Sequence, residues 1–302
     1  MRVLVLKGGP DAEREVSIKS GAQVAAALAR ANVHVEEIII DRLTLAELRA
    51  LAGDVIFPVL HGPWGEGGPL QDILEQDGRP YVGCGPAAAR LAMDKTASKH
   101  VVARAGVPTP ASCQLSKGHD MTIQPPLVIK PSNDGSSVDL RICRTPEEVV
   151  TARQHLEAKR QQLLAEEFIQ GREFTVGILH GNVLPLIEIK PKGGVYDYEA
   201  KYLRDDTQYI LNPDIDAKLK DAMNRYSLMC WRELGLRDVA RVDFMADTRG
   251  PWFLEVNTMP GFTDHSLVPK AANHAGISME MLVVDLAKAA LLRAANAPVK
   301  SV

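Results

Sequence analysis

The sequence is short of the features that mark secreted, membrane-spanning or nucleic-acid-binding chains. Only four cysteines occur in 302 residues, at Cys84, Cys113, Cys143 and Cys230. They lie far apart with no Cys-x-x-Cys spacing, which excludes a disulfide scaffold and leaves reduced thiols, as expected of a cytoplasmic protein. No apolar run approaches the length of a membrane span, and the N-terminal Met-Arg-Val-Leu-Val-Leu-Lys-Gly-Gly meets its glycines too soon for a signal-peptide core. Positive charge is not in excess either: 35 Lys and Arg against 38 Asp and Glu give a formal charge of −3. No basic field is available for a polyanionic backbone, so nucleic acid is not expected as a partner, although a few local cations suffice for one nucleotide. Repeats and low-complexity tracts are absent. What remains is 46% hydrophobic and 24% charged residues, the usage of a globular protein with room for two or three domains.

Apolar segments at Arg2–Leu6, Val35–Ile40 and Asp54–Val59 alternate with helical patterns at Ser17–Arg30, Leu45–Leu51 and Leu70–Gln76, and Tyr81–Val82 follows as a short strand. Such a β-α-β-α series predicts a parallel sheet. The pattern changes at Asp94. A helix to Ala105 leads to strand Leu127–Lys130 and the loop Pro-Ser-Asn-Asp-Gly-Ser-Ser; helix Pro146–Leu156 and strands Leu163–Phe168, Phe174–Leu179 and Val183–Lys190 follow. This half reads as α+β. Pro191–Pro213 reads as one long loop, a length that in compact domains is usually functional or disordered. Helix Ile215–Leu234, strands Ala240–Ala246 and Pro251–Asn257, a loop and helix Met279–Ala295 complete the chain.

Side chains alternate along a strand, so Arg241 and Asp243 share one face of theirs, and Glu255 and Asn257 one face of the next, opposite Trp252, Leu254 and Val256. A three-residue connection, Thr248-Arg249-Gly250, sets Asp243 across from Glu255 and Arg241 across from Asn257. Facing carboxylates repel unless a cation lies between them, and three oxygen donors with room for phosphate suit Mg2+. A solvated polar hairpin face is the alternative. Lys130 ends an apolar strand before a Gly- and Ser-rich loop whose N–H and hydroxyl groups suit phosphate, though without Walker order, so an ordinary turn stays open. Lys95 opens a helix in Met-Asp-Lys. Gly8-Gly9 lack the GxGxxG order of a dinucleotide site. Glu15, in Glu-Arg-Glu-Val-Ser, and His61, in His-Gly, both follow strands of the parallel sheet, where ligands of open α/β sheets bind.

In one order over nearly the whole chain run Gly-Gly…Glu-Arg-Glu-Val-Ser, His-Gly…Gly-Glu, Met-Asp-Lys, Lys-Pro-Ser…Gly-Ser-Ser, Glu-Phe-Thr-Val, Tyr-Asp-Tyr-Glu-Ala-Lys-Tyr, Arg-Val-Asp-Phe and Glu-Val-Asn-Thr-Met-Pro-Gly. That series resembles the D-alanine–D-alanine ligases of the ATP-grasp superfamily. The resemblance implies an α/β chain with an N-terminal parallel-sheet domain, residues 1–94, followed by a two-part α+β ATP-grasp fold, residues 95–180 and 181–302. It implies ATP-dependent joining of two D-alanines through a D-alanyl phosphate, for peptidoglycan synthesis, by a cytoplasmic homodimer. By resemblance, Lys95 and Lys130 contact ATP phosphates, Ser137 and the Gly135 loop cover them, and Lys201 reaches the γ-phosphate. Glu166, Glu167, Phe168 and Ile169 match the adenine-binding stretch and Glu173 the ribose ligand. Asp243, Glu255 and Asn257 match the ligands of two Mg2+ or Mn2+ ions. Glu15 holds the first D-alanine's ammonium, with His61 nearby and Ser136 and Tyr202 completing a triad. Arg241 and the Gly261 N–H face the oxyanion; Ser266 and Leu267 take the second carboxylate. Gly67 and Met259 depart from the pattern, where relatives carry Asp and a small polar residue. D-alanyl-D-lactate synthesis is the nearest alternative activity. A nucleotide-binding regulator is the alternative from another class, disfavoured because a mere binder needs neither metal pair nor oxyanion donor.

Overall fold

The computed structural model describes residues 1–115, 121–135, 139–192 and 206–296. Strands β1 (Arg2–Gly8), β2 (His34–Ile40) and β3 (Val55–Pro58) form a parallel sheet in the order β2-β1-β3. Helix α1 (Arg14–Arg30) makes the crossover from β1 to β2, and α2 (Leu45–Ala50), opened by a Thr44–Glu47 capping box, leads to β3. Tyr81 adds only a single bridge to Ile56, so the expected strand at Tyr81–Val82 does not extend.

Helices α3 (Gly62–Gly65), α4 (Pro69–Asp77) and α5 (Pro86–Met93) lead to α6 (Lys95–Arg104). Asp94 separates α5 from α6 and caps the latter, its carboxylate accepting the N–H of Thr96 at 2.9 Å and of Ala97 at 3.0 Å. The cap is the local reason for Met-Asp-Lys: it puts Lys95 at the first helical position, where the helix dipole adds to its positive charge.

An antiparallel four-stranded sheet, β4-β7-β5-β6, is built from β4 (Ser112–Leu115), β5 (Leu127–Pro131), β6 (Arg141–Cys143) and β7 (Leu163–Glu167), with α7 (Pro146–Glu157) joining β6 to β7. The other antiparallel sheet runs β11-β10-β8-β12-β13 with β9 (Asn182–Val183) on β8. Its strands are β8 (Arg172–Leu179), β10 (Ile187–Lys190), β11 (Gln208–Leu211), β12 (Val239–Asp247) and β13 (Gly250–Asn257). β8 pairs with β12 along its whole length, so the sheet bearing the hairpin starts at Arg172, before the expected boundary at 181. The expected strand Val183–Lys190 breaks between β9 and β10. The expected loop Pro191–Pro213 contains β11, which pairs with β10.

Helices α8 (Ala217–Glu233), α9 (Leu267–His274) and α10 (Met279–Ala295) complete the described fold. One apolar core joins the N-terminal sheet to the C-terminal helices, with Phe57 and Phe262 edge to face at 5.6 Å. Beside it, buried Asp238 accepts the Gly83 N–H at 2.7 Å and a hydrogen bond from Arg293, which also donates to the Tyr81 carbonyl at 2.7 Å. These contacts fix the parallel sheet over the end of the β12–β13 hairpin.

Candidate active site

A cavity of about 660 Å³ lies between the two antiparallel sheets, walled by β5 and β7 on one side and by β8, β10, β12 and β13 on the other. Lys95, Lys130, Glu166, Glu167, Phe168, Ile169, Glu173, Asp243 and Glu255 all line it, so nine residues singled out in the sequence meet around one space.

Asp243 faces Glu255, and Arg241 faces Asn257, in the β12–β13 register. The route to that register is not the expected one. The turn is two residues, Thr248-Arg249, with Asp247 paired to Gly250, and a bulge at Asp243/Phe244 restores the frame. The bulge also reverses one expectation: Leu254 and Glu255 both line the cavity, while Phe253 is fully buried opposite Phe244. Trp252 pairs with Met245, and Met245 also lines the cavity, so Trp252 and Leu254 belong to the face of Glu255 and not to the opposite one.

The two facing carboxylates are balanced by cations. Arg241 donates through Nε and Nη2 to the two oxygens of Asp243 at 3.0 and 2.9 Å, and Thr175 Oγ1 adds a bond of 2.6 Å. Lys95 Nζ stands 3.3 Å from Glu255 and donates to the Asp134 carbonyl of the loop after β5. Asn257 Oδ1 accepts the Met259 N–H at 3.0 Å. Among the described residues no group of three or more His, Cys, Asp or Glu forms a metal cage. The set here is two carboxylates and an amide, hard oxygen donors that leave positions for phosphate oxygens, and it fits a divalent cation arriving with a nucleotide.

Glu166 lines the cavity together with the rest of the stretch matched to adenine binding. Its carboxylate is buried between Lys130 on Oε1 and Lys99 Nζ, 3.0 Å from Oε2. Burial works against the carboxylate, but the two ammonium groups outweigh it and hold the group below the usual range. Burial pushes Lys99 down to about 8 against the pull of Glu166, whereas for Lys130 the charges of Glu166 and Glu255 outweigh burial. Lys99 went unnoticed in the sequence, where a lysine one turn after Lys95 reads as a solvated helix face. Glu167 pairs with Arg249 at 2.9 Å, Phe168 lies under the Arg144 guanidinium at 5.5 Å, and Ile169 is buried.

At the substrate end the two acidic residues of Glu-Arg-Glu differ in burial. Glu15 is exposed on the first turn of α1, while Glu13, at the cap of that helix, is buried. Glu13 Oε1 lies against the loop after β5, where a Cβ on Gly135 would stand 2.5 Å from it. His61 is buried, its Nε2 has no hydrogen-bond partner among the described residues, and burial above all brings its pKa down to about 4. Leu267 packs its side chain in the core at the first turn of α9. Ser266 Oγ accepts the Thr263 N–H at 2.9 Å and lies against Gly261. Ser136, Ser137, Lys201 and Tyr202 lie outside the described residues.

The two departures have local explanations. A Cβ on Gly67 would stand 2.3 Å from the Pro63 carbonyl, so this turn as built excludes a larger residue. Met259 contributes its backbone N–H, shared between Asn257 Oδ1 and Glu66 Oε2 at 3.3 Å, a bond available to any residue but proline.

Glu66 is itself buried and also accepts the Gly62 N–H at 3.2 Å. Burial, with the charge of Glu13 adding to it, pushes its carboxyl up to about 8, so it is protonated at neutral pH. A carboxyl raised in the fold stabilises most below its unfolded pKa and loses that contribution as pH rises towards the folded value. Glu66→Gln therefore gains on the wild type, by a few degrees in Tm, between pH 5 and 8. Melting curves that shift in parallel over this range would show Glu66 to be ionised in the folded protein.

A family model described as D-ala D-ala ligase C-terminus matches residues 100–288. The D-alanine–D-alanine ligase of Stutzerimonas stutzeri (strain A1501) is 44% identical over 291 residues, covering 94% of this chain and 93% of that one. That of Marinobacter nauticus is 42% identical over 306 residues, covering 98% and 93%. Among solved structures, the Bacillus anthracis D-alanine–D-alanine ligase complexed with ATP superposes with a TM-score of 0.83 at 33% identity, covering 97% of each chain. The VanG D-Ala:D-Ser ligase of Enterococcus faecalis gives a TM-score of 0.83 at 26% identity, covering 96% of this chain and 99% of that one.

Proposed function

This chain belongs to the D-alanine–D-alanine ligase family, and from that membership we propose how its own residues carry the reaction. Its function is the ATP-dependent ligation of two D-alanines, through D-alanyl phosphate, to D-alanyl-D-alanine, ADP and phosphate, which supplies peptidoglycan synthesis. The observation that carries the assignment of residues is the convergence of Lys95, Lys130, Asp243 and Glu255 on one cavity.

A carboxylate does not acylate an amine unaided, because an oxide would have to leave. The carboxylate oxygen of the first D-alanine attacks the γ-phosphorus, the bond to the bridging oxygen breaks, and ADP leaves. Lys95 and Lys130 offset phosphate charge in this step. Mg2+, or Mn2+ in its place, held by Asp243, Glu255 and Asn257, would neutralise further charge on the phosphates. Glu13, in place of Glu15, takes the ammonium of the first D-alanine. The amine of the second D-alanine then attacks the acyl carbon, Arg241 stabilises the tetrahedral oxyanion, and phosphate departs. The N-terminus of α9, at Ser266 and Leu267, receives the second carboxylate. Water has to be excluded while the acyl phosphate exists.

No helix among the described residues is long and apolar enough to cross a membrane. The reading extends to a cytoplasmic location, to a homodimer, and to three structural units divided near residues 94 and 171. The direct test is phosphate release on mixing ATP, Mg2+ and D-alanine. D-alanine gives stoichiometric ADP, phosphate and dipeptide, and L-alanine gives none. D-lactate or D-serine preferred over D-alanine as acceptor would move the activity to a different ligation within the same family.

A further inference from the structure

Lys99 is 3% exposed and does not belong to the cavity lining, yet its ammonium is placed between three elements. It extends from α6, one turn after Lys95, to within 3.0 Å of Glu166 Oε2 on β7, and donates to the Phe253 carbonyl of β13 at 3.0 Å. Its Nζ is 5.6 Å from the centre of the Phe253 ring. Glu166 gives its other oxygen to Lys130. Two cations thus share one buried anion, and the charge of Glu255 also acts on both of them. A buried ammonium is costly to desolvate, so a chain that needed only to fill this space would do better with an apolar side chain.

We propose that Lys99 is a positioning residue for the nucleotide: it takes one oxygen of Glu166, so that Lys130 shares that carboxylate instead of being neutralised by it alone and keeps more of its charge for the ATP phosphates, and it ties the helix carrying Lys95 to the strand carrying Glu255. The proposal rests on the reading of Lys130 as a phosphate contact. Without the Lys99 charge, Glu166 pairs one to one with Lys130, and the local charge facing the phosphates falls by one.

Calorimetric ATP affinity without D-alanine, and steady-state kinetics, provide the test, with Lys130→Met as the check on the underlying reading. Lys99→Gln keeps a donor for the Phe253 carbonyl but removes the charge, and it weakens ATP binding and raises KM for ATP by about tenfold or more. KM for D-alanine and kcat change much less. Lys99→Arg recovers most of the loss. The decisive variant is Lys99→Met, which fills the same buried space without a charge: it weakens ATP binding as far as Lys99→Gln does, while Lys99→Arg stays near the wild type. A packing role alone predicts the reverse, with the apolar Lys99→Met tolerated best and the larger Lys99→Arg worst.

If Lys130→Met weakens ATP binding while Lys99→Gln does not, or if Lys99→Met binds ATP as well as the wild type does, the proposal is overturned and the phosphate reading stands. If Lys130→Met leaves ATP affinity unchanged, the phosphate reading itself falls. Should Lys99→Gln fail to fold, Lys99→Met is compared with the wild type directly, and an unchanged ATP affinity there overturns the proposal.

Discussion

Asp243→Asn and Glu255→Gln each bring turnover close to background while leaving the fold in place. Each removes a charged oxygen donor from the pair that faces across β12 and β13. The loss should exceed the ~10- to 100-fold typical of removing an outer partner of a metal site. The structure gives reasons for the fold to survive. Asparagine at position 243 can still accept from Thr175 and from Arg241, which bond Asp243 at 2.6 Å and at 2.9 to 3.0 Å. Glutamine at position 255 keeps the length of the side chain and a carbonyl oxygen towards Lys95, which lies 3.3 Å from Glu255, on a side chain a quarter exposed. Both variants leave the cavity less negative, so ATP measured without divalent cation should bind at least as well as to the wild type. The effect of added Mg2+ on binding and rate should be what disappears. Phosphate release titrated with Mg2+, beside ATP affinity with and without the metal, separates these quantities. Wild-type rates at ordinary Mg2+ in both variants would remove these residues from the metal assignment.

The β12–β13 register was legible because strand alternation puts Arg241 with Asp243 and Glu255 with Asn257, and that holds at this end of the hairpin. It holds for a different reason from the one inferred: a two-residue turn and a bulge sum to the same offset as a three-residue turn. Trp252-Phe253-Leu254 is an apolar run without alternation, so the pattern does not say which of the three turns inward; in the structure it is Phe253, whose ring centre lies 6.4 Å from that of Phe244. The choice between Glu13 and Glu15 was not available from pattern. Two residues apart at a helix start, they point in opposite directions only once the helix is known to begin at Arg14, and the apolar period suggested Ser17. Lys99 was hidden for the opposite reason. Helical spacing placed it on the same face as Lys95, but only the tertiary fold shows that this face is buried against β7 and β13. The motif positions that did converge, Lys95, Lys130, Asp243 and Glu255, are those whose neighbours are a helix cap or a strand, where local geometry sets the direction of the side chain.

Replacing Arg241 by alanine should lower kcat by ~10²- to 10³-fold, the usual cost of losing one oxyanion donor, with a much smaller effect on ATP affinity. Arg241 is 15% exposed at its side chain, lies across from Asn257, and grips both oxygens of Asp243 in a two-pronged contact. A planar fork gripped in this way is oriented before substrate arrives, so its charge needs little rearrangement when the carbonyl oxygen becomes an oxyanion. The charge on that oxygen is largest in the transition state, so the loss falls on kcat and not on ground-state binding. A second role competes with this one, because Arg241 also balances Asp243, and removing it alters a proposed metal ligand. Lysine at position 241 distinguishes them. It retains a charge near Asp243 but loses the fork, so an electrostatic role towards Asp243 is largely restored while alignment towards the oxyanion is not. The expected order of kcat is wild type, then Arg241→Lys well below it, then Arg241→Ala lowest, with ATP affinity nearly level across the three. If both variants kept kcat and lost only ATP and Mg2+ affinity, Arg241 would be serving the nucleotide through Asp243, and the oxyanion would have to be stabilised by another group.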